Sequence, residues 1–175
     1  MKLTVREMKL EEAGIIADYF HEATPEYLEM LGVDPTKVPE REKLLQRYAH
    51  ECSLPRESRK QFIVVWILGD TPVGFSSADR IVFGREAYMH LHIFRPEHRK
   101  SGYGAECVKE TVKIYFEQLD LQRVFCEPNA FNVAPNRTLQ RAGFTYLKTH
   151  MTVPGPLNYH QAVTRWVLEK SNSHG

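Results

Sequence analysis

Glu86, His90 and His92 recur with Tyr88 at every second position of EAYMHLHIF, so one face of an extended segment carries a carboxylate and two imidazoles. Imidazoles take up and release protons near neutral pH, which makes this face a candidate for acid–base work. The alternate residues Ala87, Met89, Leu91 and Ile93 are apolar and belong against a core. Pro96 ends the ladder, and Arg99-Lys100-Ser101-Gly102-Tyr103-Gly104 follows: two cations and two glycines. Cys107, Val108, Thr111, Val112, Tyr115 and Phe116 then recur at helical spacing. A helix that starts at glycines offers unpaired N–H groups and the positive end of its dipole to an anion, with no side chain to keep a phosphate away.

A lone G-x-G is also how an ordinary surface turn precedes a helix, so the neighbouring residues must decide. The third glycine of a dinucleotide fingerprint is missing, and so is the Gly-Lys-Ser/Thr of a P-loop. What stands here is R-x-x-G-x-G after a strand ending in Ile93-Phe94 and a Pro-Glu turn, and it resembles the acyl-CoA-binding signature of the GNAT N-acetyltransferase superfamily. Downstream, Asn132-Val-Ala-Pro-Asn136-Arg-Thr-Leu139-Gln-Arg-Ala-Gly143-Phe144 is similar to that superfamily's second landmark, a short helix that opens at an asparagine and closes on Gly-Phe. The resemblance covers essentially the whole chain, and its pattern comes nearest to the branch of the ribosomal-protein N-terminal acetyltransferases.

Composition agrees with an ordinary globular chain. At 175 residues, 42% hydrophobic and 26% charged, it suits one domain able to bury a core, and disordered or fibrous classes drop out. A net charge of +1 argues against a nucleic-acid partner, which usually calls for a marked basic excess. Cys52, Cys107 and Cys126 are odd in number and unpatterned, so neither a disulfide framework nor a metal site is expected. The opening MKLTVREMKLEE is charged where a signal peptide would be apolar, and no stretch reaches the length of a membrane span, so the expectation is a cytoplasmic protein with no membrane partner.

The elements that would position this chemistry read in order as β-α-α-β-β-β-α-β-α-β-β. Leu3–Arg6 is a short strand, and Lys9–Phe20 carries a helical stripe. Thr24-Pro25-Glu26 starts a second helix that Gly32 stops, and Glu42–Tyr48 resumes helical spacing. Gln61–Leu68, Pro72–Arg80 and the Glu86 strand form a meander, Arg123–Cys126 runs parallel to the Glu86 strand, and after the helix Ala134–Arg141 come closing strands Phe144–Val153 and Ala162–Leu168. The fold expected is a single α/β (α+β) domain over residues 1–170, with a mixed central sheet of about seven strands flanked by helices, and a frayed tail at 171–175.

The resemblance implies acetyl-CoA as co-substrate, with no metal, lying in the splay between the fourth and fifth strands. It assigns His92, Ile93 and Phe94 to the pantetheine arm, Arg99, Lys100, Ser101, Gly102, Tyr103 and Gly104 to the pyrophosphate, and Asn132 with Asn136 to the thioester end. A homodimer is common among similar proteins. An amine with a pKa of about 10.4 is neutral in only about one molecule in a few thousand at pH 7, so transfer needs a base or water relay, for which Glu86, His90 and His92 are the catalytic candidates. One departure stands out: Leu139 occupies the position where many members carry a tyrosine that protonates the leaving thiolate. Two readings follow, a direct N-acetyltransferase or a non-catalytic acyl-CoA-binding or sensing module. The same donor half would serve a protein N-terminus, a lysine, a polyamine, an aminoglycoside or an amino acid.

Overall fold

In the computed structural model, which describes residues 1–98 and 102–171 with the Pro96 side chain excepted, β-branched and aromatic runs form seven strands. They are Leu3–Glu7 (β1), Phe62–Leu68 (β2), Thr71–Val82 (β3), Glu86–Ile93 (β4), Arg123–Cys126 (β5), Thr145–Thr152 (β6) and Gln161–Glu169 (β7). One mixed sheet holds them in the order β1-β2-β3-β4-β5-β7-β6. The expected meander is present, and β4 and β5 form its parallel pair. The last two strands do not simply append: β7 inserts between β5 and β6, and β6 closes antiparallel on the outer edge.

Five helices cover the sheet: Ala13–Glu22 (α1), Pro25–Leu31 (α2), Arg41–Ser53 (α3), Gly104–Gln118 (α4) and Val133–Arg141 (α5). Local chemistry sets their ends. Glu12 accepts from Arg6 at 2.7 and 2.9 Å and from the Lys9 N–H at 2.8 Å, which holds Leu10–Glu12 in a 3-10 turn and delays α1 until Ala13. Thr24 Oγ1 accepts from the Tyr27 N–H, Pro25 fills the first turn of α2, and Gly32 ends it. α3 runs to Ser53, well past Tyr48: Leu44 and Tyr48 are buried, Leu45 and Cys52 pack beside the same core, and most of the remaining residues are solvated.

Two cores sandwich the sheet. Even-numbered residues of β2 (Phe62, Val64, Trp66) and Ala87 and Met89 of β4 pack against Cys107, Val112 and Tyr115 of α4. Ile63, Val65 and Phe75 turn the other way, against α1 and α3. Two buried hydrogen bonds pin α4 to the sheet: Trp66 Nε1 to Thr111 Oγ1 at 2.8 Å, and the Tyr115 hydroxyl to Ser76 Oγ at 2.9 Å. Removing either acceptor would strand a buried donor, a loss of about 1–3 kcal/mol.

Candidate active site

The site is made by a divergence of strands. β4 and β5 pair from Glu86 with Arg123 to Met89 with Cys126, and there the pairing ends. Pro128 can offer no N–H to a ladder, and the chain after β5 stays with β7 through Thr164 N to Pro128 O at 3.1 Å and Ala130 N to Ala162 O at 2.9 Å. β4 meanwhile stays with β3 to Ile93, and Phe94 N donates to Val73 O at 3.0 Å. A gap opens between them.

Alternation decides which groups face that gap. Phe94 points its N–H at β3, so His92 and His90 do too, and the N–H and C=O of Leu91 and Ile93 turn away from β3 into the gap. Main-chain hydrogen bonding to a ligand there falls to Leu91 and Ile93. Among the residues expected to hold pantetheine, only Ile93 has this orientation; His92 and Phe94 commit their backbone to β3.

A cavity of about 630 Å³ occupies the gap and passes through the sheet, because it is lined both by Met89, Trp66 and Cys126 of the α4-side core and by Phe20, Leu44 and Phe75 of the opposite core. That volume lies within the range of small-molecule sites.

At its α4 mouth stand Gly102, Gly104 and Ala105, with Arg137, Thr138 and Arg141 of α5 opposite. Gly102 holds φ +84 with open space where a Cβ would be, and a Cβ on Gly104 would make only ordinary contact with Thr138 at 3.6 Å. α4 begins at Gly104 with no side-chain cap, and its first intrahelical bond comes from Cys107 N to Tyr103 O at 2.9 Å, so the N–H groups of Gly104, Ala105 and Glu106 have no helical acceptor. The Tyr103 side chain packs toward the α4 core and its hydroxyl is buried. Arg99, Lys100 and Ser101 lie outside the described residues.

On the other face the structure separates the three acid–base candidates. His90 lines the cavity with Asp79, and its Nε2 lies 3.1 Å from Asp79 Oδ2, off the angle of a directed hydrogen bond. Burial alone would raise the Asp79 carboxyl, but His90 and Arg80 hold it below its ordinary value, so it stays ionised. His92 also lines the cavity, stacked on Phe75 at 4.6 Å and edged by Tyr19 and Phe20, with Nδ1 3.2 Å from the Tyr19 hydroxyl. Burial, helped by His90, pushes its imidazole down to about 3, too weak a base for neutral pH. Glu86 does not reach the cavity. It sits at the start of β4, 2.6 Å from Arg123 Nη2 and beside Arg85.

Residues that sequence reading passed over complete this side. Glu127, its side chain 2% exposed, is held by Arg165 at 3.1 Å, His150 at 3.3 Å and Arg80 at 3.4 Å. Arg80 adopts φ +47 at a bulge in β3, lies 3.7 Å over the Tyr88 ring and donates to Pro154 O. The loop between β6 and β7 comes so near that a Cβ on Gly155 would stand 2.9 Å from His90 Cε1. Asn132 lines the cavity at the start of α5, whereas Asn136 is structural: it donates to the carbonyls of Asn129 and Asn132 and accepts from Trp166 Nε1 at 2.8 Å. Leu139 is buried in the α4-side core. Cys107 and Cys126 are buried, and burial raises both thiols, Cys107 to about 12, so neither is poised as a nucleophile. Among the described residues there is no group of three or more His, Cys, Asp or Glu fit to hold a metal, and no helix long and apolar enough to cross a membrane.

Comparison with known proteins gives the same architecture. The profile of the acetyltransferase (GNAT) domain matches residues 2–145. A spermidine N-acetyltransferase from Vibrio cholerae, solved with CoA and spermine, superposes with a TM-score of 0.76 at 15% identity, covering 95% of each chain. The ribosomal L7/L12 alpha-N-protein acetyltransferase RimL, in complex with coenzyme A, gives 0.76 at 15% over 97% of this chain and 94% of that one. The aminoglycoside acetyltransferase AAC(6')-Ib with coenzyme A gives 0.72 at 14% over 97% and 95%. At these identities the likeness is one of fold. No curated protein sequence matches the chain significantly.

Proposed function

The chain belongs to the GNAT acetyltransferase family, and from that premise we propose that it transfers an acetyl group from acetyl-CoA directly to a primary amine. The observation that carries this reading is the cavity through the sheet, with the glycines and free N–H groups at the start of α4 on one face and His90 beside Asp79 on the other.

The residues present fit the donor. Leu91 and Ile93 offer main-chain groups to a polar arm in the gap. The open backbone at Gly102 and the free N–H groups of α4 suit a pyrophosphate, and Arg137 and Arg141 give that mouth positive potential. Arg99, Lys100 and Ser101 join this set by their place in the sequence, and Asn132 lies at the turn into α5. Bound acetyl-CoA supplies an activated acyl group as a thioester.

Proton removal belongs to His90. The carboxylate of Asp79 beside Nε2 favours the tautomer with its proton on Nε2 and leaves the Nδ1 lone pair to accept from the attacking amine. As the imidazole charges, Asp79 offsets that charge, and Arg80 keeps the carboxylate ionised in turn. With the Cys107 and Cys126 thiols buried and protonated, the acyl group passes without a covalent protein adduct.

The non-catalytic reading rests on Leu139 alone, and a buried leucine says nothing against His90 as base. The deciding experiment is thiol release from acetyl-CoA with a panel of amines, alongside intact mass of the protein during turnover. Amine-dependent release without a mass increase supports direct transfer. Tight acetyl-CoA binding with no release from any amine would favour the sensing module, and an acetylated cysteine would overturn direct transfer.

A further inference from the structure

The acceptor side of the cavity carries information about its amine. Its wall is apolar and aromatic, formed by Phe20, Leu31, Val33, Leu44, Tyr48 and Ile63. Among the described residues two carboxylates reach the cavity, and both already face guanidinium groups: Asp79 that of Arg80, Glu127 those of Arg80 and Arg165. A polycationic acceptor would find no spare negative charge among these groups.

The opposite charge is spare. Arg47 stands exposed on α3 at the rim of the same cavity and makes no ion pair among the described residues. The acid one turn along, Glu51, is the partner that helical spacing would give it. Glu51 is turned away, accepting instead from the N–H groups of Lys60 and Gln61 at 2.9 and 3.1 Å.

Register relates the apolar wall to the base. Ile63 pairs with Ser77, and Ser77 with His90, so the three stand in a row across β2, β3 and β4. Two strand spacings make that row about 10 Å long. Leu44 and Tyr48 belong to the same core as Ile63, and Arg47, between them on α3, lines the same cavity.

Resting on the transferase reading above, we propose that the acceptor is a primary amine joined through an apolar, ring-sized body to an anionic group, carboxylate or phosphate, that pairs with Arg47. The amine lies at His90, the body along the Phe20–Ile63 wall, and the anion at the α3 rim.

The test compares kcat/KM for phenethylamine, 4-(2-aminoethyl)benzoate, O-phosphotyramine and spermidine at low salt. The expected order places at least one anionic amine about tenfold above phenethylamine, with spermidine lowest, and the better of the two identifies carboxylate or phosphate. Arg47→Gln should bring the anionic-to-neutral ratio near one, Arg47→Lys should keep most of it, and Arg47→Glu should shift preference toward spermidine. Equal or better use of phenethylamine or spermidine by the native protein, or a ratio that Arg47→Gln does not move, overturns the inference and leaves the transferase reading standing. Calorimetric binding of the two anionic amines in the presence of CoA separates the two claims. Binding that Arg47→Gln weakens, with no thiol release from any amine, keeps the acceptor assignment and defeats the transferase. Neither binding nor release defeats both.

Discussion

His90 Nε2 stands 3.1 Å from Asp79 Oδ2, beside the gap where β4 leaves β5. The two residues come from adjacent strands but are not a register pair: Asp79 faces Tyr88, and its carboxylate reaches diagonally to the next residue on that face. Arg80, strained at φ +47, is what turns at this point, and its guanidinium touches Asp79, Glu127 and the Pro154 carbonyl together. The bulge thus ties the carboxylate beside His90, Glu127 and the β6–β7 loop into one unit.

His90→Ala should lower turnover by roughly 10²–10⁴-fold with little change in acetyl-CoA affinity, because the glycine mouth at α4 and His90 lie on opposite faces of the sheet. Asp79→Asn should lower it less, by about 10–100-fold, since it withdraws the carboxylate that would offset charge developing on the imidazole during transfer. Steady-state rates from pH 5 to 9 check both. Near-native turnover in His90→Ala would remove the dyad from the mechanism.

Glu86→Gln should behave differently from both. Its carboxylate is spent on Arg123 at 2.6 Å, away from the cavity, so turnover should stay within about twofold while stability falls by about 0.5–1 kcal/mol, the usual scale for a partly exposed ion pair. Urea midpoints and rates measured on one preparation decide. A hundredfold loss of rate would return Glu86 to the site.

At the other mouth, Gly104→Val should weaken CoA binding by on the order of 2 kcal/mol while leaving the fold intact, because among the described residues a new Cβ meets Thr138 alone, at van der Waals distance. Gly102→Val combines the same obstruction with φ +84, and about 1 kcal/mol of stability should go with it. Titration calorimetry with CoA and thermal melts separate the two effects. Unchanged affinity in a folded Gly104→Val protein would rule out the loop.

Much of the fold was legible because its signals are local. Period two in EAYMHLHIF, the glycine spacing before Cys107, and Thr24-Pro25 with Gly32 each act within a few residues and gave β4, α4 and α2 near their observed places. What failed to show was position along a strand. Alternation put Glu86 and His92 on one face, but six residues at about 3.3 Å each set them about 20 Å apart. Asp79, Glu127 and Arg47 join the site through register and helix packing across long stretches of chain, and no spacing in the sequence marks them. Leu91 was hidden for a related reason: its apolar side chain belongs to the core while its main chain serves the gap, and only the observed pairing tells which backbone groups are free.

His92 gives the last prediction, one of stability rather than rate. Its imidazole is pushed from 6.5 down to about 3 by burial among Phe75, Tyr19 and Phe20, so between those values the unfolded chain binds a proton that the folded protein refuses. Stability therefore falls as pH drops below about 6.5, and this group contributes up to about 1.4 kcal/mol per pH unit through that window. The dependence carries the sign opposite to that of a histidine which gains an acidic partner on folding. His92→Phe keeps the ring contacts and removes the titration. Denaturant midpoints followed from pH 7 to 4.5 should show a shallower acid loss in the variant than in the native protein, with the two curves converging in slope above pH 7. Parallel curves throughout would show that the folded protein takes up the proton at His92 as readily as the unfolded chain does.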